Sequence, residues 1–166
     1  QSIRRIATEV FRDAVLAVTG QYANRMGGPP VPVMEDAVGQ IVLGQEDLDG
    51  ERKPKTQADL GESAQRRSVY IQVRRSRPLA VLETFDLATV APNCTQRPVS
   101  NVAPQSLLLM NSDFIVGYAA AFAKHIADTY PADLEAQLAH AWQLAFAETP
   151  SPETVTRLVH FVSSQP

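Results

Sequence analysis

The chain reads as mainly α: an N-terminal helix, a small β-hairpin insertion with long loops, and a C-terminal cluster of four helices. Three observations predict this. Apolar residues recur at steps of three and four near both ends. One short run in the middle alternates with period two. Glycine and proline break up what lies between.

Residues 2–20 carry Ile3, Ile6, Ala7, Val10, Ala14, Ala17 and Val18 at helical spacing, and Gly20 supplies a stop. Residues 25–34 mix glycine and proline too densely for regular helix or central strand, so they read as a loop laid over the domain. Gly39 and Gly44 bracket Ile41-Val42-Leu43, a short strand. The polar residues 45–66 read as a long surface loop. Val69, Ile71 and Val73 then alternate with polar neighbours, which predicts a strand ended by Pro78, with a weaker partner strand over 79–86.

Residues 87–103 are irregular. Pro104 suits the first turn of a helix reaching Met110, after which Asn111 is positioned to turn the chain in a left-handed conformation. Ser112 caps a second helix, Asp113 to Thr129, with Phe114, Ile115, Tyr118, Phe122 and Ile126 on its inner face. A third helix covers 133–147, with Leu134, Leu138, Ala141 and Ala145 inward. Ser151-Pro152-Glu153 opens a fourth: a cap, a first-turn proline, and an acid at the positive end of the helix dipole. This C-terminal half is expected to supply most of the hydrophobic stabilisation.

The length of 166 residues fits one domain, 1–166, divided into 1–44 (helix and loop), 45–66 (surface loop), 67–103 (short strands and irregular segment) and 104–166 (helical cluster). Hydrophobic residues at 45% and charged residues at 20% are ordinary for a globular chain. A net charge of −3 argues against nucleic acid as the partner. No apolar run reaches the roughly 18 residues that membrane insertion needs. Gln1 stands where an initiating Met would, which reads as a piece of a longer protein.

Eight of the fifteen Lys and Arg residues lie between Arg52 and Arg77. Arg74, Arg75 and Arg77 follow the expected strand, and arginine suits planar recognition of carboxylate, phosphate or sulfate, as on an anionic polysaccharide. The simpler expectation is pairing with nearby acids: Glu46, Asp47, Asp49, Glu51, Asp59, Glu62, Glu83 and Asp86. Cys94, the single cysteine, can hold neither an internal disulfide nor a zinc site alone, and it reads as a buried, inert thiol. His125, His140 and His160 fall on three different helices, none with a second His or Cys at helical spacing. No metal or cofactor is expected. No Gly-x-Ser-x-Gly elbow is present. Glu83 and Asp86 are the best candidates for a carboxylate pair. Arg97, Asn101 and Gln105 punctuate the irregular segment, where they can satisfy loop amides and carbonyls.

A wider set of residues carries a resemblance: Glu9-Val10-Phe11-Arg12-Asp13, Met26-Gly27-Gly28-Pro29, Leu48-Asp49-Gly50-Glu51-Arg52-Lys53, Arg66-Arg67-Ser68-Val69-Tyr70, Arg74-Arg75-Ser76, Phe85-Asp86, Asn93-Cys94, Arg97, Ala103-Pro104-Gln105-Ser106-Leu107, Asn111 and Pro150-Ser151-Pro152-Glu153. Together they resemble the C-terminal planctomycete-type domain of unknown function found in large bacterial proteins with cytochrome-c-like domains. One departure is Val102-Ala103-Pro104, where the family more often has Asn-Thr-Pro, which sets Asn101 one position off the family asparagine.

The resemblance implies a fragment of a larger, extracytoplasmic protein, with any haem in a separate domain. It carries over no catalytic residue. The function expected is a non-catalytic binding or docking domain. Its partners would be neighbouring domains, cytochrome-c-like ones included, or an anionic polysaccharide. Its binding residues would come from Arg74, Arg75, Asp86, Arg97 and Gln105. The alternative is a polysaccharide-active hydrolase or lyase using Glu83, Asp86 and Arg97.

Overall fold

The computed structural model describes residues 5–48, 54–58, 60–88, 94 and 96–165. Ile3, Asp49, Glu51, Arg52, Lys53, Asp59 and Asn93, all named above, lie outside the described residues. The architecture is mainly helical, with small antiparallel hairpins and a C-terminal run of four helices.

Helix α1 spans Thr8–Val18. Its buried face is Thr8, Arg12 and Leu16, spaced by four, and not the expected stripe: Ile6 and Val10 are more than half exposed, and Ala14 and Ala17 face solvent. A polar residue can occupy the core-facing position because the Arg12 guanidinium finds acceptors there. Gly20, at φ +70°, turns the chain out of the helix as expected.

Strands β1 (Val33–Glu35) and β2 (Ile41–Leu43) pair antiparallel, Met34 opposite Val42. The Asp36 carboxylate fixes their turn by accepting the Val38 and Gln40 N–H groups. Residues 45–66, expected as a loop, contain a second hairpin, β3 (Gln45–Leu48) with β4 (Pro54–Ala58), and a 3-10 turn over Gly61–Gln65. Their polarity masks the pattern, because backbone pairing needs no apolar face.

Two further expectations are corrected. The alternating run at 69–73 is not a ladder strand. Ser68–Tyr70 forms a 3-10 turn, and Ile71 makes one parallel bridge to Val31. The three apolar residues do not share a face: Ile71 is buried, while Val69, inside the turn, and Val73 are exposed. The expected partner strand at 79–86 is helix α2 (Ala80–Thr84), too short to show a helical period.

Helices α3 (Ala103–Asn111), α4 (Asp113–Thr129), α5 (Leu134–Phe146) and α6 (Pro152–Ser163) form the C-terminal run. Ser112 Oγ accepts the Ile115 N–H, and Ser151 Oγ accepts the Thr154 N–H, so both expected caps are present. Asn111 stays helical, with Nδ2 donating to the Leu107 carbonyl; Ser112, in extended conformation, makes the turn instead. No single described helix is long and apolar enough to cross a membrane.

The core gathers Val31, Val33, Ile71, Leu79, Val81 and Leu82. It therefore sits in the first half of the chain, against expectation. Helix α4 adds Ile126, while α5 and α6 bury no residue fully. Helix α5 packs against α4 and α6, and the apolar residues of α5 and α6 are left half-buried or exposed.

Candidate functional site

Polar residues, only some of which stood out in the sequence, form three latches on irregular backbone. The first is built on α1. Arg12, with no exposed surface, donates to the carbonyls of Ala64 and Arg66 and to Ser68 Oγ. Burial pulls its pKa down, while neighbouring Asp13, at 3.9 Å, favours the charge. The Asp13 carboxylate accepts the Ser68 N–H and hydroxyl, both at 2.7 Å, and pairs with Arg67. Arg66 reaches the other way. It donates to the Pro29 and Gly27 carbonyls and stacks over the Tyr70 ring at 4.2 Å. The glycine–proline loop is thus held from beneath, and the Tyr70 hydroxyl accepts the Gly27 N–H.

The second latch centres on Asp86. This residue has φ +64°, a left-handed conformation that aspartate tolerates better than most side chains. Its carboxylate accepts the Ser100 N–H at 2.8 Å and the Ser100 hydroxyl at 2.7 Å, and it pairs with Arg5 at 2.9 Å. The Ser100 bonds, with Arg5 behind them, hold its pKa below the ordinary value. Buried Gln105 joins from α3, its Nε2 donating to the Thr84 carbonyl and to Ser100. The third latch is Arg97, whose guanidinium grips the Glu9 carboxylate through two bonds of 2.7 and 2.8 Å. That pairing lowers the Glu9 pKa and raises that of Arg97.

Of the five candidate binding residues, Asp86 and Gln105 therefore meet at Ser100, Arg97 engages α1, and Arg74 and Arg75 stand apart. Among the described residues neither Arg74 nor Arg75 has an acidic partner. Arg67 takes Asp13 and Arg77 takes Glu35, neither among the acids expected, while the expected acid Asp86 takes Arg5 from outside the basic segment. Asn101 is exposed and, among the described residues, holds no loop group. Cys94 is half-buried, not buried, with Sγ 2.8 Å from the Gln96 carbonyl oxygen. Glu83 is exposed on α2.

Two hollows flank this scaffold. One, of about 490 Å³, lies between the start of α1 and α3 and includes Arg5, Phe85, Ser100, Asn101 and Gln105. The other, of about 880 Å³, opens between the β1–β2 hairpin and helices α2 to α4. Glu83, Asp86 and Arg97 line neither of these two hollows, although Ser100 and Arg5, the partners of Asp86, line the first. Among the described residues no group of three or more His, Cys, Asp or Glu gathers as metal ligands would.

Sequence reasoning missed Glu9, Arg12, Asp13 and Ser100 as structural partners. The one available signal was charge density on the first helix, an acid, a base and an acid within five residues, alongside an apolar stripe that would suffice without them.

The sequence model of one protein family, described as PSD1, Protein of unknown function (DUF1553), matches residues 1–162. The chain belongs to this family. The match spans all three latches and all six helices, so the DUF1553 domain includes the C-terminal helices as well as the core. No curated protein and no solved structure matches the chain.

Proposed function

We propose that this DUF1553 domain is a non-catalytic docking domain of a larger, multidomain protein. One observation carries the reading: the chain builds a core and then extends helices whose apolar faces it covers only in part. Helices α5 and α6 bury no residue fully, and Phe146 and Phe161 are 60% and 61% exposed. Exposed aromatic side chains such as these are enriched where proteins meet. The latches support the same reading, because their charged groups are already engaged with backbone or with each other. The resemblance of the sequence supports an extracytoplasmic setting and neighbouring domains of the parent protein as partners.

The test is amide hydrogen exchange of α5 and α6 in the 166-residue chain and in the parent protein. Protection should rise at least tenfold in the parent, and Phe161→Glu should abolish the rise. Equal exchange in both would contradict docking through these helices.

Arg74 and Arg75 favour a second contact, with an anionic polysaccharide, because no described acid neutralises them. Arg74→Ala/Arg75→Ala should remove binding to sulfated or uronate glycans on an array, and undiminished signal would exclude it.

A further inference from the structure

We propose that the cleft between the β1–β2 hairpin and helices α2 to α4 seats an extended or helical segment of another protein, apolar at its centre and flanked by Lys or Arg. This rests on the docking reading and names a second surface for it. The cleft, at about 880 Å³, lies at the upper end of the range typical of ligand sites. Its floor is the core itself, since Leu79 and Val81 are only 5% and 7% exposed.

The apolar surface does not stop at the floor. Val38 on the hairpin turn is 78% exposed and Leu107 on α3 is 58% exposed, and both line the cleft. A small molecule resting on the floor would leave these two in water. A polypeptide segment laid across the mouth covers both along with the floor.

Charge decides the chemistry of that segment. Among the described residues lining the cleft, Asp36 and Asp113 are the only charged ones, and none is Lys, Arg or His. Asp36 spends one carboxylate oxygen on the turn amides. Asp113 is exposed in the first turn of α4. The field at the mouth is therefore negative, and a complementary segment carries basic residues beside its apolar anchors. A second copy of this chain fits poorly, because a two-fold contact would set the same acids against each other.

A library of random twelve-residue peptides displayed on phage, panned on the wild-type chain and counter-selected on Leu107→Asp, tests this. Leu107 is exposed enough for its replacement to leave the fold intact, which its circular dichroism would verify. Selected peptides should share apolar anchors flanked by Lys or Arg. Their affinity, measured by fluorescence anisotropy, should drop about fivefold on Asp36→Asn/Asp113→Asn, the range of two rim ion pairs. Asparagine keeps the turn acceptor of Asp36 and removes only charge.

Peptides with acidic or neutral flanks, or affinity unaffected by the asparagine pair, would overturn the proposal. So would a wild-type dimer in sedimentation that Leu107→Asp dissociates, since the cleft would then seat a second copy. If the peptides fail while Phe161→Glu still releases α5 and α6 in the parent protein, only the cleft assignment falls.

Discussion

The Asp86 carboxylate accepts both the backbone N–H and the side-chain hydroxyl of Ser100, fourteen residues further along the chain. It thereby fixes the irregular stretch that precedes α3 to the end of α2.

This pairing has a pH signature. Asp86 and Glu9 both titrate below their ordinary values in the folded chain, Asp86 through the Ser100 bonds and Glu9 through its bonds from Arg97. A carboxyl with a lowered folded pKa binds fewer protons than in the unfolded chain, so it stabilises fully above its unfolded value, near 4. That stabilisation is lost as pH falls through the folded value. The melting temperature should therefore decline as pH drops from about 5 toward 3. Asp86→Asn should lower it at pH 7 and flatten the decline. Asp86→Ala should cost more than Asp86→Asn, since alanine removes every acceptor and fits φ +64° less well.

Gly20 answers two demands at once. Its φ of +70° suits glycine, and a Cβ there would lie 3.0 Å from Nδ1 of His125 on α4. Gly20→Ala should destabilise by about 1–2 kcal/mol from the backbone alone, with a further loss from the contact. In a His125→Ala background the contact loss should vanish and the backbone loss remain. Denaturant unfolding of the four chains in a double-mutant cycle measures both.

Arg12→Met preserves much of the volume but strips the Ala64 and Arg66 carbonyls of their donors. Leaving buried acceptors unpaired costs about 1–3 kcal/mol each, so urea denaturation should show a loss of several kcal/mol. The core's position gives a matching contrast. Leu82→Ala should cost about 2–5 kcal/mol as a buried truncation. Leu158→Ala, on a half-buried face of α6, should cost less than about half as much. Equal losses would place the main core among the C-terminal helices.

The C-terminal helices were legible because their signals are local. Pro104, Ser112 and the Ser151-Pro152 pair act within one turn, and each sits where its chemistry requires. The Ile41–Leu43 strand and the Gly20 stop are of the same kind. What the sequence concealed was set by distant partners. Arg12 looks like a surface charge until Ala64 and Arg66 turn their carbonyls toward it. Val69, Ile71 and Val73 look like a strand because a spacing of two in the sequence does not reveal that Val69 lies in a 3-10 turn and that Ile71 alone of the three is buried. The stripes on α5 and α6 look like core because periodicity shows which face is apolar and not what covers it. The sequence picked out Arg97, Asn101 and Gln105 as supports of irregular backbone, of which Arg97 and Gln105 take part in latches. Asp86 stood out as a carboxylate and not as the partner of Ser100, which carries no distinguishing pattern.

The claim on which the account turns is that these polar side chains hold backbone in place. Amide hydrogen exchange of Ser100, followed by NMR in the wild type and in Asp86→Ala, tests it most directly. The account predicts that the Ser100 amide loses its protection while Leu82 in the core keeps most of its own. Unchanged protection at Ser100 would contradict it.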